Sequence, residues 1–135
     1  MFDRHLIPLI RRPLQLLAAP LCRAGISANQ ISLTGFAVGM LALPLLALGW
    51  HGWALAAILF NRLLDGLDGA VARQTGITDC GGFLDISLDF IFYAAVVLGF
   101  ALSAPANALP AATLLFAFMG TGSSFLAFAV MAGKR

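Results

Sequence analysis

Apolar stretches separated by short polar connections run through most of this chain, and the first is Ile31 to Trp50, which carries no charge at all. A membrane-crossing helix needs roughly 20 mostly apolar residues, and this stretch supplies them. Three more follow, at about 53–73, 83–102 and 109–131. The pattern before them differs. At 100° per residue, Arg4, Arg11 and Gln15 fall on one side of a helix, while Leu6, Ile10, Leu14, Leu17 and Leu21 fall on the other. Residues 1–26 therefore read as an amphipathic helix lying on the membrane, its basic side toward anionic headgroups. Pro8 and Pro13 are expected to make it irregular. Pro13 and Pro20 also interrupt the apolar run Leu14 to Cys22, and Leu21 is too large to precede a lipoprotein cleavage site, so the segment is expected to be retained. The predicted fold is all-α: a polytopic transmembrane helix bundle over 27–135, preceded by an interfacial amphipathic helix.

Composition agrees, with 61% hydrophobic and 10% charged residues where a soluble domain devotes about a quarter to charge. The net charge of +2 matters less than its placement. Arg4, Arg11, Arg12, Arg23, Arg62, Arg73, Lys134 and Arg135 are the basic residues, and the turn at 51–52 and the loop at 103–108 have none. By the positive-inside rule, both termini and the 74–80 loop are expected in the cytoplasm, with Trp50 and Trp53 marking the opposite interface. These cations read as topology signals and contacts to membrane lipids, and nucleic acid is not an expected partner. Cys22 and Cys80 fall on the reducing side and are expected to be free thiols.

The acids change the picture. An ionised carboxylate at the bilayer centre costs about 2.5–3.5 kcal/mol even on a lenient scale, yet five of the six acidic residues lie between Asp65 and Asp89. Asp65 and Asp68 are three apart on the second span and share an arc with Asn61, Gly69 and Ala72; Asp85 and Asp89 are four apart on the third, beside Gly81, Phe92 and Val96. Asp79 is assigned to the loop. Gly66, Gly69, Gly81 and Gly82 allow close approach of helices or a ligand. If the two faces meet, four carboxylates converge, and a cation must intervene to keep them ionised. Hard oxygen donors without His or Cys favour Mg²⁺, Mn²⁺ or Ca²⁺. Four acids on two helices can hold two ions and clamp phosphate oxygens in a displacement. Arg73 follows the acidic face and can oppose a phosphate; Arg62 lies deeper, where it snorkels or pairs with an acid. His5 and His51 are isolated and are given no chemistry.

Read in order, Asp65, Asp68, Gly69, Ala72, Arg73, Gly81, Asp85 and Asp89 resemble the signature of the CDP-alcohol phosphotransferase family, matching all eight positions. The stretch Ser27-Ala28-Asn29-Gln30-Ile31-Ser32 is similar to the Thr-Pro-Asn approach that family uses, with Ala in place of Pro. The resemblance implies a homodimer of six-span subunits; this chain supplies four spans and is expected to lack the last two helices. It implies metal ligation, by Mg²⁺ or Mn²⁺ and in two sites, at Asp65, Asp68, Asp85 and Asp89, with Asp89 also the catalytic base. Asp65, Asp68, Gly69, Ala72, Arg73 and Gly81 would line the pocket for the CDP moiety. The implied reaction is transfer of a phosphatidyl group from a CDP-linked lipid to an acceptor alcohol, releasing cytidine monophosphate, in phospholipid biosynthesis. Asp89 lies one turn deeper than Asp85, nearer a lipid-borne phosphate, which favours it as base. A bacterial inner membrane is the expected location.

Two other readings use the same acids: a non-catalytic membrane scaffold, and a cation or proton carrier. The carrier leaves the Gly69, Ala72, Arg73 and Gly81 pattern unexplained.

Overall fold

The computed structural model describes residues 3–133, all of its regular elements helical. Helix α1 spans Asp3–Arg23, α2 Ala28–Met40, α3 Ala42–Ala47, α4 His51–Thr75 and α5 Asp79–Ser103. A 3₁₀ turn at Pro105–Asn107 leads into α6, Ala108–Gly133. Lys134 and Arg135, counted above among the cytoplasmic cations, lie outside the described residues.

Contrary to the irregularity expected of it, α1 continues through Pro8, Pro13 and Pro20. Each proline removes one ladder hydrogen bond. The carbonyls left without a donor belong to Arg4, Leu9 and Leu16, all exposed, where water or headgroups can solvate them. Nor does the whole apolar side of α1 face lipid. Ala18, with Leu14, Leu21 and Cys22, packs onto Leu67, Ala70 and Val71 of α4 and Ile31 of α2, whereas Leu6, Ile10 and Leu17 remain exposed.

A capping box starts α2: the Ser27 hydroxyl accepts from the Gln30 amide, and the Gln30 side chain accepts from the Ser27 amide. The first apolar span is then broken at Leu41 into α2 and α3. Pro44 explains the break, because it has no N–H to offer the Met40 carbonyl four residues earlier. The turn into α4 passes through Gly49 at φ +82°, a left-handed conformation that glycine adopts without steric cost.

Among the described residues, three stretches are long and apolar enough to cross a membrane: Ala28–Ala47, Asp79–Ser103 and Pro105–Gly133. They correspond to the first, third and fourth expected spans. The second, expected at 53–73, lies within α4, which is 25 residues long like α5 but carries Arg62, Asp65, Asp68 and Arg73 and is less apolar than the other three. At 1.5 Å per residue α4 is about 37 Å long. It is packed by α1, α2 and α3, and its polar side is turned into the bundle, where Asn61 and Asp68 are buried.

Close helix contacts set the geometry. Asn61 donates to the Gly35 carbonyl at 2.7 Å, joining α4 to α2. A Cβ on Gly39 would lie 2.6 Å from Asn61 Nδ2 and 2.7 Å from the Phe92 ring, so only glycine fits where α2, α4 and α5 meet. Gly39→Val is expected to cost about 1–3 kcal/mol or more through overpacking, read as a lower melting temperature in detergent; unchanged melting would mean that the three helices are packed otherwise. Farther along, α6 packs along α5, with Gly122 against Phe90, and most of its surface is exposed.

Candidate metal centre and its cleft

Asp65 and Asp68 reach the centre from α4, and Asp85 and Asp89 from α5. One carboxylate oxygen each from Asp65, Asp68 and Asp85 lie within 4.8 Å of one another. The spacings of three on α4 and four on α5 give each pair one helix face, and the α2 contacts that tie Asn61 down turn the α4 face toward α5. Asp68 is 7% exposed, Asp65 is half-buried and Asp85 is exposed, so the trio opens outward on the Asp85 side. Ser32 of α2 donates to Asp68 Oδ2 at 2.7 Å and so fixes one of its oxygens.

Asp89 is held differently. Arg62 Nη2 donates to Asp89 Oδ1 at 3.0 Å, and Arg62 Nη1 lies 3.5 Å from Asp65 Oδ2. Thus three of the four predicted ligands form a tight group, and the fourth is joined to that group through Arg62 and Asp65. Arg62 resolves the choice left by the sequence, pairing with two acids instead of snorkelling.

Below the trio, a cleft of about 270 Å³ opens between the C-terminal end of α4 and the start of α5. Of the six residues expected around the CDP moiety, Asp68, Gly69, Ala72, Arg73 and Gly81 line it, together with Asp85 and with Ala28, Asn29 and Ser32 from α2, whereas Asp65 stands outside it. Its walls are low because the residues are small. A Cβ on Gly81 would come 3.0 Å from Thr78 Oγ1 and 3.3 Å from Asn29 Oδ1, narrowing the cleft at its mouth. Thr78 caps α5, its hydroxyl accepting from the Gly81 amide at 3.0 Å. This cap draws Asp79 into the first turn of α5, correcting its assignment to the loop. Arg73 is exposed at the rim, free to meet an anion.

The donors fit a hard divalent cation: carboxylates from three aspartates, a serine hydroxyl behind one of them, and no thiol or imidazole in the trio. Cys22 and Cys80 are both free thiols. Tyr93, which binds Arg62, carried no warning in the sequence; Ser32, which binds Asp68, lay in the family-like stretch 27–32 without a role, and Asn61 shared the acidic arc.

Residues 26–134 match the family described as CDP-alcohol phosphatidyltransferase. The chain is 61% identical over 136 aligned positions to the Inner membrane protein YnjF of Escherichia coli, covering 100% of this chain and 66% of that protein. It is 35% identical over 96 residues to an archaetidylinositol phosphate synthase of Pyrococcus horikoshii, covering 70% of this chain and 51% of the synthase. With a phosphatidylinositol phosphate synthase of Mycolicibacterium smegmatis it shares 38% identity over 79 residues, covering 57% of this chain and 36% of that enzyme. The chain thus spans between about a third and two thirds of the length of these relatives. No solved structure shows a significant match.

Proposed function

We propose that this chain, which belongs to the CDP-alcohol phosphatidyltransferase family, carries the catalytic centre of a metal-dependent phosphatidyltransferase of phospholipid biosynthesis. The observation that carries the reading is the carboxylate trio of Asp65, Asp68 and Asp85, two of whose members, Asp68 and Asp85, line a cleft walled by small residues and Arg73.

In this reading, Asp65, Asp68, Asp85 and Asp89 hold two ions, Mg²⁺ or Mn²⁺. Bound there, the ions supply charge neutralisation and orientation for a diphosphate. Gly69, Ala72 and Gly81 leave room for the cytidine and its ribose against backbone, and Asp68 borders the same moiety, with Asp65 beside it in the trio. Arg73 opposes phosphate charge at the rim. The acceptor hydroxyl attacks the phosphorus that bears the lipid, and the bond from that phosphorus to the oxygen of cytidine monophosphate breaks. Cytidine monophosphate leaves with that oxygen and its electron pair, and Asp89 takes the hydroxyl proton. An inositol phosphate is the first acceptor to try, because two relatives are named as synthases of inositol phosphate lipids.

The test is release of cytidine monophosphate from a CDP-linked diacylglycerol by the 135-residue chain in lipid vesicles, with and without Mn²⁺. Acceptor-dependent and metal-dependent release supports the reading. No release from a chain that also fails to bind Mn²⁺ sinks it, in favour of a scaffold.

The location proposed is a bacterial inner membrane, in line with the name of the Escherichia coli relative, with four crossings and both termini and the centre in the cytoplasm. Single-cysteine labelling is expected to place positions near Arg12 and Gln74 on one side and those near Gly52 and Asn107 on the other. Gly52 and Gln74 on the same side would break this topology. A homodimer belongs to the same reading, and the mass of the protein in detergent checks it.

A further inference from the structure

All five N–H donors of the Arg62 guanidinium have partners. Nε and Nη2 donate to Asn61 Oδ1 at 3.0 and 2.7 Å, and Nη2 also to Asp89 Oδ1 at 3.0 Å. Nη1 donates to the Tyr93 hydroxyl at 3.2 Å and faces Asp65 Oδ2 at 3.5 Å. The guanidinium carbon sits 5.0 Å from the centre of the Phe92 ring and 5.3 Å from that of Tyr93, within cation–π range. Asn61 is itself anchored on the Gly35 carbonyl of α2. A solvated arginine that happened to meet an acid would not use its whole fork, nor draw partners from two helices and, through Asn61, an anchor on a third. This one is built in, and it shares Asp65 with the carboxylate trio.

We propose that Arg62 is the resident counter-cation of the centre: it holds Asp65 and Asp89 together when no metal is bound and, by competing for the same carboxylates, sets the affinity with which a divalent ion enters. Clustered carboxylates repel one another and are stable together only beside positive charge. Without metal, the guanidinium supplies that charge and ties α4 to Asp89 and Tyr93 of α5. With an ion on Asp65, the same guanidinium stands one carboxylate away from a second cation and opposes it. Arg62 is therefore a positioning residue whose benefit is largest without metal, and which makes occupancy responsive to the free ion concentration. The inference rests on the metal-centre reading.

Thermal melting of the full chain in detergent, chelator-treated and then titrated with Mn²⁺, tests it without any turnover. Arg62→Gln is expected to melt lower than the parent without metal, and to be half-saturated at about tenfold lower Mn²⁺, the effect of removing a unit charge a few ångströms from a divalent ion even in a water-like dielectric. Arg62→Lys keeps the charge but not the fork that spans both acids, and is expected to tighten Mn²⁺ binding by about threefold. An equal loss of stability with and without Mn²⁺, at unchanged affinity, would show a structural role only and overturn the proposal. Weaker Mn²⁺ binding in either variant would overturn it too, since Arg62 would then orient ligands and not compete with the ion. If Arg62→Gln does not fold, an Arg62→Lys affinity equal to the parent's decides against it. A parent that Mn²⁺ does not stabilise at all refutes the metal centre itself, a different failure.

Discussion

Asp68→Asn is expected to abolish most of the stabilisation that Mn²⁺ or Mg²⁺ gives the chain while leaving the metal-free protein as stable as the parent, or more so. Asp68 is the most buried member of the trio and already has one oxygen fixed by Ser32. Asparagine keeps its shape and can still accept that hydrogen bond, so packing is little disturbed. What disappears is a negative charge that repels Asp65 and Asp85 in the empty centre and attracts the ion in the loaded one. Loss of an outer partner that merely orients a ligand costs roughly 10–100-fold in metal affinity, and loss of the ligand itself should exceed that. Ser32→Ala supplies the comparison, because it removes the outer partner alone. An ion at a hundred times its dissociation constant stabilises by about 2.7 kcal/mol, and a hundredfold weaker site reduces this to about 0.4 kcal/mol. Melting curves at fixed Mn²⁺ would therefore separate parent, Ser32→Ala and Asp68→Asn in that order. If Asp68→Asn responds to Mn²⁺ as the parent does, the trio does not hold the ion.

How far the centre can be read from the sequence follows from where each part is encoded. Spacings of three and four residues are local, so periodicity alone assigns each aspartate pair to one helix face. That the two faces meet is also implied, since neighbouring helices joined by a short connection run antiparallel. Nothing local encodes the partner of Arg62. Whether it snorkels or turns inward depends on the rotation of α4 about its axis, which is set by Gly35 and Gly39 on a different helix. Ser32 reaches Asp68 across 36 positions of sequence, beyond any periodicity. The same division holds for the fold. Long apolar runs mark the helices, but the break at Leu41 needed the hydrogen-bond consequence of Pro44, and the start of α5 at Asp79 needed the Thr78 cap. The burial of Ala18 under α4 could not be foreseen from amphipathicity, because an apolar stripe looks alike whether lipid or protein covers it.

Asp89→Asn is expected to fail in the opposite manner from Asp68→Asn: turnover lost, CDP-lipid binding largely kept. Asp89 does not line the cleft that Asp68, Gly69, Arg73 and Gly81 share, so nucleotide contacts should survive its neutralisation. One of its oxygens accepts from Arg62, and the other is left for a hydroxyl proton or an ion. Asparagine can accept the Arg62 hydrogen bond, which preserves the local geometry, but its amide cannot take a proton. Losing a positioned base commonly costs about 10²–10⁴ in rate. That deficit has a mark that a ligand deficit lacks, since more Mn²⁺ cannot restore a missing base. Cytidine monophosphate release is therefore expected to stay low for Asp89→Asn at every Mn²⁺ concentration and to recover in part for Asp68→Asn as Mn²⁺ rises. Full recovery of Asp89→Asn at high Mn²⁺ would make Asp89 a metal ligand alone. The acceptor proton would then have to leave through another group beside Asp85, such as a water held at the open side of the trio.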